Sequence, residues 1–377
     1  MPAFLDAIVV GAGPAGSAAS ITLAGCGCRT LVLEKDVFPR RKVCGAYLAA
    51  GALPSLKKLD AGAAVLRLEP ERIERGSVHL ASGVSIEFAL PSPGLGISRF
   101  ALDDLLARRA AESGATIRFG ARVAGVARAG AGFRVHLVGA ETLDARAVIG
   151  AWGRWDALDR SLERVFFARR GRFLGWSGEL AGDAAALAGQ VRLYMFQGGY
   201  CGLSRVEGGV ANVAGVVSAS ALRTIGGGWD AVMAHARRSN AALDADLAGL
   251  EPGPGGFLGT GPVFFTAKPP SESGLLMVGD AAGMLDPFSG QGQAMALASG
   301  LLAGEMTARC LSGEIAPANL PRAYSAAWRA RFAGRFAWSK VFRRFMLSPS
   351  LGALGARLAG ERLTRFALEK LAQQDQF

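Results

Sequence analysis

Residues 7–16 read Ala-Ile-Val-Val-Gly-Ala-Gly-Pro-Ala-Gly, and the run that follows, Ser17–Cys26, is made mostly of small residues. Four apolar residues entering a glycine loop, then a small-residue run, predict a strand over 7–10, a turn over 11–16 and a helix over 14–24. A second short strand, 31–33, ends on Glu34, which follows Gly16 by 18 residues. Each part has a physical task. Gly11 permits the tight turn, Gly13 lets a pyrophosphate approach the backbone, and Gly16 lets helix and strand pack closely. Pro14 and Ala15 open the helix, whose free N–H groups and positive dipole end favour phosphate. The Glu34 carboxylate can accept hydrogen bonds from both ribose hydroxyls of an adenosine, and Lys35 beside it joins the same candidate set. Glycine spacing alone would be a weak signal, but strand, loop, helix, strand and acid together predict a βαβ nucleotide-binding unit.

Outward from this unit, 102–113 reads as an amphipathic helix opened by a loop that carries Arg99. Residues 116–126 (with the candidate cofactor contact Val123), 133–138 and 147–150 read as strands. Between 166 and 217 apolar and polar residues alternate, with glycine pairs at 198–199 and 208–209, the pattern of an antiparallel sheet. A Pro/Gly-rich passage, 251–270, leads back to an apolar strand over 275–278. Then come Gly279-Asp280-Ala281-Ala282-Gly283, Asp286-Pro287 and Gly290-Gln291-Gly292, which opens a long helix reaching Cys310. Asp280 can hold ribityl hydroxyls. The glycines at the helix start offer N–H groups and dipole to the negative locus of a reduced flavin, near N1 and O2. Two nucleotide-type loops in one chain point to FAD over NAD. The expected fold is α/β: a discontinuous, Rossmann-like FAD-binding domain with an inserted antiparallel β-sheet substrate domain and C-terminal helices. The expected segments are 1–160, with a short substrate-domain excursion near 72–95, then 161–270 for the substrate domain, 271–320 for the second FAD-binding part, and 321–377 for basic, aromatic helices.

Composition narrows the class. The 377 residues, 50% hydrophobic, can bury a large core and suggest two joined domains. Five scattered cysteines fit neither a disulfide scaffold nor a zinc site, so no metal and a cytoplasmic location are expected. Met1–Phe4 carry no basic residue, so a secretory leader is not expected, and no run approaches the ~18 apolar residues of a membrane span. The net charge of +11 is concentrated late: residues 320–377 hold eleven Lys or Arg against three acids, a net +8. In this region Trp328, Phe332, Phe336, Phe342 and Phe345 interleave with Arg329, Arg331, Arg335, Lys340, Arg343 and Arg344 at helical spacing. Such a helix either caps the substrate domain or docks peripherally on an anionic membrane surface or an acidic carrier protein. Nucleic acid is not an expected partner, because no binding signature accompanies the charge. The three histidines, His79, His136 and His235, lie near no glycine loop, so histidine acid–base chemistry is not expected.

Pro39-Arg40-Arg41-Lys42-Val43-Cys44-Gly45, Ser98-Arg99 with Leu102-Asp103, and the block 279–300 carry a more specific signal. With the N-terminal fingerprint they resemble the geranylgeranyl reductase family, within the p-hydroxybenzoate hydroxylase superfamily of flavoproteins, over most of residues 6–310. The Lys42-x-Cys44-Gly45 element favours the reductase branch. The resemblance implies that Arg40, Arg41 and Lys42 lie along the flavin with Arg99 near it, that Pro287 belongs to the flavin site, and that Cys44 and Gly45 approach the ring. Cys44 there either passes a proton or packs against the ring. Many superfamily members carry an acid where this chain has Trp152, and that acid commonly helps hold the pyrophosphate and, in hydroxylases, a nicotinamide donor. The electron donor, NAD(P)H or another, is therefore left open. The expected activity is reduction of a carbon–carbon double bond in a hydrophobic, isoprenoid- or polyketide-like substrate by hydride from reduced FAD. The alternatives are a flavin monooxygenase acting on an aromatic or polyketide ring, more remotely a halogenase, whose Trp-x-Trp-x-Ile-Pro element is missing here, and a non-enzymatic flavin- or lipid-binding protein.

Overall fold

The computed structural model describes residues 5–168 and 173–346. Two eight-stranded sheets organise them. In the first, Leu5–Val10 runs parallel between Thr30–Leu33 and Thr142–Gly150, with Thr116–Arg118 beyond one neighbour and Leu275–Met277 beyond the other. Thr30–Leu33 and Leu275–Met277 are buried throughout, which is why both read as unbroken apolar runs. Helix Pro14–Gly25 lies against helix Gly292–Leu311, and the closeness of the two explains their small residues. A Cβ on Gly300 would stand 2.2 Å from the Ala15 carbonyl oxygen.

The second sheet runs, in spatial order, Glu251–Val263, Phe173–Ala181, Ala211–Ser218, Gly199–Arg205, Gln190–Phe196, Glu71–His79, Ser85–Gly96 and Tyr47–Leu48. Its pairings are antiparallel except between Gln190–Phe196 and Glu71–His79. One face packs through Trp176, Tyr194 and Leu203 onto Val232 and Leu243 of the helices that follow.

Three local expectations change. Residues 251–263, read as part of a connecting passage, form a 13-residue edge strand. Pro252, Pro254 and Pro262 hid it, yet an edge strand tolerates missing N–H donors, and two register shifts absorb the irregularity. The single strand expected over 116–126 is two: after Thr116–Arg118 the chain turns through Gly120 (φ +70°), and Val123–Ala129 pairs in a hairpin with Gly132–Leu137. The basic helix, Leu320–Met346, caps the nucleotide-type sheet, not the substrate sheet. Trp328 and Phe332 are buried in that core, and the Tyr324 hydroxyl donates to the Met277 carbonyl at 2.7 Å. Arg335, read as part of the cationic face, is buried beside the Phe332 ring. The side chains of Phe342, Arg344 and Phe345, and residues 347–377, lie outside the described residues. No described helix is long and apolar enough to cross a membrane.

Candidate active site

A cavity of about 910 Å³ separates the loops of the first sheet from the open face of the second. Gly13, Pro14 and Ala15 border it on one side, and Gly279, Asp280, Pro287 and Gly290–Gly292 on another. A narrow recess beside it is bounded by Gly11, Glu34, Lys35 and Val123. Gly16 lies behind both: a Cβ there would sit 1.8 Å from the Gly11 carbonyl oxygen, so its task is packing. Gly13 differs, since a Cβ there would meet only the Arg99 guanidinium, at 3.5 Å. The Glu34 carboxylate accepts from the Ala12 N–H at 2.7 Å and the Asp36 N–H at 3.0 Å, which fixes it at the base of the glycine loop. Lys35 is drawn to Asp156 at 3.3 Å.

Cations gather round one acid. Arg99 binds Asp103 in a fork at 2.6 and 2.7 Å, and Arg40 reaches the same carboxylate at 2.9 Å. Burial would raise the Asp103 carboxyl, but the charge and hydrogen bonds of Arg99, with Arg40 and Lys42 behind it, hold it below its ordinary value. Lys42 has no such fork. Burial pushes its ammonium down to about 8, and repulsion from Arg99 and Arg40 adds to this. Arg41 also borders the cavity but turns to the second sheet, donating to the Gly256 carbonyl at 3.3 Å. Two further cations escaped the sequence reading. Arg154 borders the cavity and donates to Thr260 at 2.6 Å; Lys268, not itself on the cavity wall, donates to the Asp280 carbonyl at 2.8 Å, its ammonium lowered by burial to about 8. No local pattern marks either one. An excess of cations over carboxylates on a cavity wall suits an anionic ligand such as a pyrophosphate.

Trp152 lies at the cavity edge and donates through its indole N–H to Asp159 at 3.2 Å. Asp159 pairs with Arg164 at 2.9 Å, both wholly buried, and Arg164 donates onward to the carbonyls of Ala281 and Pro269. The segment after the Thr142–Gly150 strand is thus locked to the Gly279–Ala281 turn. The Tyr200 hydroxyl donates to Asp286 and accepts from the Phe288 N–H at 3.1 Å, which pins the Pro287–Ser289 turn to the second sheet. Burial pushes the Asp286 carboxyl up to about 6.

Cys44 and Gly45 border the cavity between the two sheets. The Cys44 N–H donates to Ser177 Oγ at 3.4 Å, and its carbonyl accepts from Asn212 at 3.4 Å. The thiol sulfur lies 3.4 Å from the Ala46 N–H and 3.5 Å from Gln293 Nε2. Among the described residues, no histidine borders the cavity. On the same cavity, the second sheet presents a trough. Gly202 is directly paired with Ala214 on one side and Leu193 on the other. Tyr200 and Val216 form one bank, and Val191 and Leu193, with Phe88 and Leu90 of strand Ser85–Gly96, the other, all bordering the cavity.

The fold and a cavity with two nucleotide-type loops define an FAD-dependent oxidoreductase. The residues present fit the cofactor: in the first loop, Gly11 and Gly16 are closed in by backbone, while a Cβ on Gly13 would meet only the Arg99 guanidinium, the kind of group a pyrophosphate needs. The comparisons carry this further. The family model described as FAD binding domain matches residues 5–176. Digeranylgeranylglycerophospholipid reductase 2 of Methanopyrus kandleri is 30% identical, over 96% of this chain and 92% of its own length. Menaquinone reductase of Mycolicibacterium smegmatis is 28% identical, over 86% and 79% respectively. Among solved structures, a myxobacterial chondrochloren halogenase superposes with a TM-score of 0.80 at 22% identity, covering 100% of this chain and 91% of that one, a likeness of fold alone. This chain belongs to the geranylgeranyl reductase family of FAD-dependent oxidoreductases.

Proposed function

We propose that the protein reduces carbon–carbon double bonds in a hydrophobic, isoprenoid-like substrate. The observation that carries this reading is the apolar trough that shares one cavity with Cys44–Gly45 and the start of helix Gly292–Leu311. Two relatives whose names are those of reductases, one of a digeranylgeranyl lipid and one of menaquinone, support it. In this reading Gly13, Pro14 and Ala15 would receive the pyrophosphate, with Arg99 and Lys42 supplying positive charge, while Arg41 is held by the second sheet. Gly11, Glu34, Lys35 and Val123 bound the adenosine end. Gly279, Asp280 and Pro287 face the ribityl and ring region, and Gly290, Gln291 and Gly292 present a helix N-terminus to the flavin's negative locus. When bound, FAD supplies the hydride. The chain does the rest: the trough holds the alkene, apolar walls exclude water, and Cys44 delivers the proton to the neighbouring carbon.

The test is anaerobic reduction of the holoprotein with dithionite, then separate mixing with oxygen and with polyprenyl alkenes. Gain of two hydrogens per double bond without oxygen is the expected product. A hydroxylated product formed only with oxygen would overturn the reading in favour of a monooxygenase.

The trough makes a separate prediction about specificity. A Cβ on Gly202 would stand 3.1 Å from a terminal methyl of Leu193, a flexible neighbour that can give way, so Gly202→Leu is expected to fold and bind FAD. The larger side chain then fills the space for a long substrate. Turnover of long polyprenyl chains should fall about tenfold, roughly 1.4 kcal/mol of barrier, while short alkenes are spared. An unchanged chain-length profile counts against the trough.

We also propose that the basic C-terminal region brings the protein to an anionic lipid surface. Because Trp328 and Phe332 are spent on the core, charge supplies the attraction. Co-sedimentation should occur with anionic vesicles, not neutral ones, and fade as salt rises.

A further inference from the structure

We infer that Gln293 is a positioning residue for Cys44: its amide N–H, with the Ala46 N–H, stabilises the sulfur after the thiol has given up its proton. The inference rests on Cys44 as proton donor. Gln293 is almost wholly buried at the start of helix Gly292–Leu311. Its Nε2 lies 3.4 Å from the Tyr47 carbonyl and 3.5 Å from Cys44 Sγ. A carbonyl oxygen can only accept, so it fixes which end of the amide faces this way. One amide hydrogen serves Tyr47, and the second is directed to the sulfur. The Gln293 oxygen is buried and has no hydrogen-bond partner among the described residues. The Ala46 N–H reaches the same sulfur at 3.4 Å, held there by a backbone with φ +54°. Sulfur thus accepts two N–H groups, and its own hydrogen is left for the cavity.

In the proposed reaction the alkene π bond breaks. Hydride, supplied by the reduced cofactor, forms one C–H bond with both electrons, and the S–H bond breaks to give its proton to the adjacent carbon. Sulfur keeps the electron pair as thiolate. Two N–H donors aimed at that developing charge act as backbone amides do at an oxyanion, in a site that excludes water. Neither donor touches substrate; each works through sulfur.

Gln293→Met keeps the bulk and removes the donor. Two measurements test it, each with FAD content as a check on folding. The first is alkylation of Cys44 in the apoprotein by iodoacetamide, followed by peptide mass spectrometry. Thiolate is the reactive form, so the variant should react several-fold more slowly. The second is a double-mutant cycle in turnover. Gln293→Met should cost about tenfold in the wild-type background, the worth of a hydrogen bond to a charged group, and nothing further in a Cys44→Ala background. Should Gln293→Met fail to retain FAD, Gln293→Glu, which keeps length and shape, serves in its place, with a deficit that grows as pH rises and the carboxylate charges. Unchanged alkylation, or equal losses in both backgrounds, overturns the role of Gln293. Normal turnover by Cys44→Ala itself would instead remove the proton-donor reading on which it rests.

Discussion

Gly13→Val is expected to yield a folded protein that carries no FAD. Gly13 has φ −66° and ψ −180°, extended backbone that valine adopts without strain. A Cβ at this position meets only the end of the Arg99 side chain, so the apoprotein has room for it. The space it takes is the space over the first turn of helix Pro14–Gly25, where, in the proposed binding mode, N–H groups without helical partners would receive the pyrophosphate. Gly16→Val makes the contrast: its Cβ would lie 1.8 Å from the Gly11 carbonyl oxygen, so that variant should fail to fold. The ratio of flavin absorbance to protein, with circular dichroism for the fold, separates the two. Full flavin occupancy in folded Gly13→Val would sink the assignment of the loop.

Cys44→Ala should retain FAD and lose more than tenfold in turnover, a barrier increase of at least about 1.4 kcal/mol. The backbone of Cys44 is held by Ser177 and Asn212 through its N–H and carbonyl, contacts that alanine keeps. What disappears is, among the described residues, the only thiol bordering the cavity. The loss should fall on kcat more than on KM, since the proton moves in the transition state and not on binding. A variant that turns over normally would reduce Cys44 to a packing residue.

The nucleotide-binding unit was legible because each of its signals is local. Val9 and Val10 are apolar on both faces because the strand is buried on both, and Gly11 marks a turn at φ +108°. The strand over 251–263 was not legible, because its prolines and glycines carry the signature of a loop and only its place at a sheet edge lets them stand in a ladder. The aromatic stripe of the last helix was visible at its helical spacing, but nothing in that spacing says which sheet Trp328 and Phe332 cover.

The sequence by itself determined the class of fold and the two nucleotide-type loops, since glycine conformations, strand burial and helix starts depend on neighbours along the chain; the segment around Cys44 was marked only by its resemblance to a family. Tertiary structure alone decided that Gly16 is packed while Gly13 is open, that Trp152 turns to Asp159, and that Gln293, 249 residues away, reaches the Cys44 sulfur. Electrostatics and hydrogen bonding act through space over a few ångströms, and residues remote in the chain become neighbours only once two sheets close over one cavity.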